Sequence, residues 1–126
     1  MRYNEKERFL TKVRFMPIIP KWENNEKTII YIQFIDDWSW SEFTPVRETI
    51  VKMLGSVSHM VDYIADFQEG DRIPTGALAI GRSIHKSCLH NEGVAVIVGI
   101  SPILRMLFQS FTAAYPASKN ELVLVP

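Results

Sequence analysis

Val94-Ala-Val-Ile-Val-Gly-Ile100 is seven residues long and contains no polar side chain. A strand with one wet face alternates apolar and polar residues. A strand apolar at every position needs cover on both faces, which is the situation of interior strands in parallel sheets. Parallel neighbours in turn require crossover connections, and these are normally helices, so the run points to an α/β architecture. Thr28-Ile-Ile-Tyr-Ile-Gln-Phe-Ile35 is β-branched, aromatic and nearly apolar throughout, and is predicted as a second central strand.

Helical signals fall between these strands. Thr44-Pro45-Val46-Arg47-Glu48 offers an N-cap, a proline at the first helical position and an early acid, after which Val46, Ile50, Val51 and Leu54 share a face up to Gly55. Met60 to Phe67 is predicted as a strand and Gln68 to Arg72 as a polar loop. Ala77, Ile80, Ile84 and Cys88 form the apolar stripe of a second helix, closed by Asn91-Glu92-Gly93. Ser101-Pro102 opens a third, with Ile103, Leu104, Leu107, Phe108, Phe111 and Tyr115 on its apolar face until Pro116. Glu121 to Val125 is a short final strand. Ahead of Thr28, the weaker alternation from Phe9 to Ile19, cut by Pro17 and Pro20, fits a tail and an edge strand, with a loop at Asn24-Asn25. The expected fold is a single α/β domain: a mainly parallel sheet with an antiparallel edge strand and about three helices, residues 1–27 forming the tail and edge strand and 28–126 the core.

Composition agrees with a packed core. A 126-residue chain, 47% hydrophobic and 22% charged, has the make-up of a soluble globular domain, and a globule of that size buries roughly two-thirds of its unfolded surface without disulfides or metals. Fourteen basic residues balance fourteen acidic ones, so no long-range field gathers nucleic acid or anionic lipid, and no nucleic-acid partner is expected. Cys88 is the only cysteine, which precludes an internal disulfide and suits a reducing, cytoplasmic location. Met1 to Leu10 lacks the apolar stretch of a secretory signal, and no apolar run approaches the ~20 residues of a membrane span.

Few constellations point to chemistry. The glycines are scattered and assemble neither a Walker A loop nor a dinucleotide fingerprint. His85, Cys88 and His90 lie on one short segment without a second ligand pair elsewhere, a poor zinc site, so no metal or cofactor is expected. Asp36-Asp37 after one strand and Asp66 near the end of another would suit an acid-cluster enzyme or a receiver-like domain, because strand ends converge on a crevice in a parallel sheet. A receiver, however, needs a complete helix-strand-helix between its acid pair and its phosphorylated aspartate, and here one helix intervenes. Trp38-Ser-Trp40 and Phe43 have two readings: a loop folded over the core with Phe43 as a hydrophobic staple, or an aromatic ledge for a partner or apolar ligand.

The element order and two local patterns resemble the STAS family, whose best-known members are bacterial anti-sigma-factor antagonists. Val98-Gly-Ile-Ser101-Pro102 followed by Leu104, Leu107 and an aromatic-rich helix is similar to that family's strand, turn and last helix. Thr75-Gly76 stands where members commonly carry a phosphorylatable serine before a glycine, although Ile73 replaces the usual aspartate and Pro74 precedes the acceptor. The resemblance covers about Thr28 to Val125. It implies a non-enzymatic module with Thr75 as phosphoacceptor candidate and with Asp71, Thr75 and Gly76 facing a protein partner, an anti-sigma factor or a kinase-like regulator; Trp38 and Trp40, which are outside the family's common pattern, join the partner-binding candidates as the aromatic ledge. A threonine so placed also caps a helix without any modification, with Asp71 as a rival cap. The related SEC14-like fold implies the alternative of a carrier for lipid or another small apolar ligand.

Overall fold

The computed structural model describes residues 17–125 except positions 36, 71–73, 75, 77–78, 80–82, 84–88, 104, 107–108 and 111–121. Its elements are β1 (Ile18–Trp22), β2 (Ile29–Ile35), helix α1 (Trp40–Gly55), β3 (Val61–Glu69), β4 (Glu92–Val98) and β5 (Leu122–Val125). They form one five-stranded sheet in the order β1-β2-β3-β4-β5. β1 runs antiparallel to β2, and every later pairing is parallel. The expected mixed α/β sheet with an antiparallel edge is therefore present, and β4 lies inside it.

The core occupies one face of the sheet. Along β2, buried Ile30, Ile32 and Phe34 alternate with half-buried residues, and they meet Val61, Tyr63, Ala65 and Phe67 of β3, Ile97 of β4, and Val46, Ile50 and Leu54 of α1. Leu89, before β4, and Ile100, after it, pack against the same cluster. The second face, with Tyr31, Ile64 and Val96 in register across the sheet, is only half-buried. The expectation that β2 and β4 are fully covered on both sides thus holds for one side only.

Local chemistry moved several boundaries. The helix begins at Trp40, and its N-cap is Ser39, not Thr44. Ser39 and Glu42 form a capping box: the Glu42 amide donates to Ser39 Oγ at 3.3 Å, and the Ser39 amide donates to Glu42 Oε1 at 3.1 Å. Trp38 and Phe43 occupy the N′ and N4 positions of a hydrophobic staple, their rings 6.4 Å apart. Pro45 consequently sits inside the helix, and the Thr44 hydroxyl donates to the Trp40 carbonyl at 3.1 Å. Gln68 and Glu69 extend β3 instead of forming a loop, and Glu92 and Gly93 begin β4 instead of closing a helix.

Both of these extensions follow from bulges. β3 gains a residue on β2 between Gln33 and Ile35, and β4 gains one on β3 opposite Val61 to Tyr63. Each freed amide finds an aspartate: Gln68 N donates to Asp66 Oδ1 at 2.9 Å, and Val94 N donates to Asp62 Oδ1 at 2.8 Å. A Cβ at Gly93 would meet Asp62 Oδ1 at 2.2 Å, so the second bulge demands glycine.

The helix count of about three is not reproduced as elements. Among the described residues only α1 is complete; Ala79 and Ser83 have helical backbone, as do Pro102, Ile103, Arg105, Met106, Gln109 and Ser110. The Arg105 amide donates to the Ser101 carbonyl at 2.9 Å, so a helical turn does open at Ser101-Pro102. Ile103, expected on its buried face, is 78% exposed.

Ile97→Ala should cost about 2–5 kcal/mol, because Ile97 packs in the one core the sheet has, and Ser39→Ala about 1 kcal/mol from the lost cap. Val96→Ala should cost less than Ile97→Ala, since Val96 is only half-buried. Urea denaturation of the three variants gives this ranking directly.

Candidate functional site

Side chains after β2 gather at the end of the sheet where the parallel strands terminate. The rings of Phe34 and Phe67 stack at 4.3 Å, Trp38 lies 5.1 Å from Phe34, and Trp40 meets Trp38 edge-on at 4.8 Å and Phe43 at 5.7 Å. Edge-on and offset pairs of this kind each add about 0.5–1.5 kcal/mol beyond their buried area. Trp38 is 5% exposed and belongs to the core, so the ledge reading fails for this residue. Its Nε1 is buried without a hydrogen-bond partner among the described residues.

Trp40 differs. It is half-buried at the first helical position, and its Nε1 donates to the Pro74 carbonyl at 3.2 Å. Gly76, exposed and with φ of 96°, approaches the same ring: a Cβ there would lie 3.8 Å from Trp40 Nε1. The start of α1 therefore lies beside Pro74 and Gly76, which brings together two of the expected partner-facing residues, Trp40 and Gly76. Asp71 and Thr75 lie outside the described residues, as do Asp36, His85 and Cys88. His90 is exposed.

Asp66 has a structural assignment. Oδ1 accepts from the bulge amide of Gln68, and Oδ2 accepts from the Tyr31 hydroxyl. Lys21 Nζ lies 5.3 Å from the centre of the Tyr31 ring on the same face. The hydrogen bond to Asp66, followed by burial and the negative charges of Asp66, Glu23 and Glu69, pushes the Tyr31 phenol up to about 12. Among the described residues, no three of His, Cys, Asp and Glu are grouped to hold a metal ion.

A buried polar network was not foreseen. Glu92, 3% exposed at the start of β4, accepts at Oε1 from Arg47 Nη1 at 2.6 Å and from the Tyr63 hydroxyl at 2.7 Å, and at Oε2 from the Leu89 amide at 3.3 Å. Burial disfavours charge on Arg47, but the hydrogen bond and charge of Glu92 outweigh it and keep the guanidinium above its ordinary pKa. Burial, reinforced by Glu92, likewise raises the Tyr63 phenol. Beside it, Asn91 Nδ2 donates to the carbonyls of Leu54 at 3.1 Å and His59 at 3.3 Å, tying the end of α1 to the start of β3. This network sits where the parallel strands begin, opposite the end at which ligand crevices form in such sheets, and its role is to join α1 to β3 and β4. The sequence offers one signal for it: a carboxylate directly before an apolar strand.

Removing Arg47 as Arg47→Met should destabilise the fold by about 3–5 kcal/mol, because Glu92 is left charged and buried, while Tyr63→Phe should cost about 1–3 kcal/mol; thermal and urea unfolding distinguish them. In alkaline titration followed by ultraviolet absorbance, Tyr31 should ionise near 12, and Asp66→Asn should return it towards the ordinary tyrosine value of about 10. Since the folded pKa is the higher, the stabilisation from Tyr31 is complete below about 10 and is lost as pH rises through about 12.

With this geometry in hand, comparison of the chain with protein-family models, with curated proteins and with solved structures yields no match.

Proposed function

We propose that the chain is a non-enzymatic regulatory module of STAS-like type, which docks a protein partner through the surface where Trp40 meets Pro74 and Gly76. The observation that carries this reading is the hydrogen bond from Trp40 Nε1 to the Pro74 carbonyl. It joins an aromatic helix start to Pro74, the residue directly before Thr75. The sheet order supports the STAS-like reading: one antiparallel edge strand, then four parallel strands in chain order, with α1 in the first parallel crossover. The engagement of both Asp66 oxygens supports a binding role over an acid-cluster enzyme.

Thr75 is the switch candidate, directly after Pro74, whose carbonyl accepts from Trp40, and directly before Gly76. A phosphate of about −1.5 to −2 charge at that position places new charge and bulk where the partner lands. An anti-sigma factor or kinase-like regulator is the class of partner that this reading names.

Affinity capture from the native host, quantified by mass spectrometry, tests the proposal. A partner held by wild type and by Thr75→Ala should be retained at least tenfold less by Thr75→Glu and by Trp40→Ala, with circular dichroism unchanged. Equal binding by Thr75→Glu would remove the switch surface. A lipid that co-purifies at one per chain in native mass spectrometry would favour the apolar-ligand carrier instead.

A further inference from the structure

We draw no further inference here: the strongest candidate, the row of Tyr31, Ile64, Val96 and Val123 in register across the second face of the sheet, carries nothing because nothing in the structure shows what covers it.

Discussion

The structure depends on burying one face of the sheet in a core shared by β2, β3, β4 and α1. Ile30, Val61, Ile50 and Leu54 are each at most 2% exposed, and the remaining elements are arranged around that contact. Each fully buried aliphatic side chain contributes about 1.5–3 kcal/mol relative to exposure, a sum large enough to set the sheet order and the side on which α1 lies. Among the described residues, the buried apolar side chains of the sheet lie on that face, and Tyr31, Ile64 and Val96 on the other are half-buried. The sheet consequently has a deep core on one face and a shallow apolar surface on the other.

Keeping that packing forces irregularities into the strands, and the polar residues serve them. The bulge in β3 lets Ala65, Asp66 and Phe67 all be buried in succession, with Phe67 stacked on Phe34 and Asp66 accepting the displaced amide. The bulge in β4 uses Asp62 in the same way and needs Gly93 for the close approach. Gly99, with φ of 74°, turns the chain directly after β4 where the Gln68 side chain lies across it; a Cβ there would meet Gln68 Cγ at 2.5 Å. Asp66, which looks like a candidate catalyst in the sequence, is thus bound to the Gln68 amide and to Tyr31.

The buried Arg47, Glu92 and Tyr63 network works at the opposite end. An ion pair removed from water adds little net stability compared with apolar packing, but it is directional. Arg47 comes from α1, Tyr63 from β3 and Glu92 from β4, so the network fixes how the helix is placed along the strands, which apolar contacts alone leave loose. With this end pinned, the aromatic cluster at the other end holds Trp38 in the core and Trp40 at the surface beside Pro74.

The sequence by itself determined the strand nature of Ile29–Ile35 and of the run from Val94 to Val98, and the α/β class, since apolar runs that short and that continuous have few other stable fates. It also pointed to an edge strand ahead of Thr28, but over Phe9 to Ile19, whereas β1 runs over Ile18–Trp22 with Pro20 and Lys21 inside it, since an edge tolerates a missing donor and a charge. The capping box from Ser39 to Glu42 was legible in spacing, yet the Thr44-Pro45 pair is an equally good start signal by local rules. Only packing chose between them: starting at Trp40 buries Trp38 and brings Phe43 against it. Tertiary structure alone decided the bulges, the partners of Glu92 and Asp66, and the division between a core tryptophan and a surface one. These depend on register between strands far apart in the chain, and a register shift of one residue reverses which face every side chain occupies.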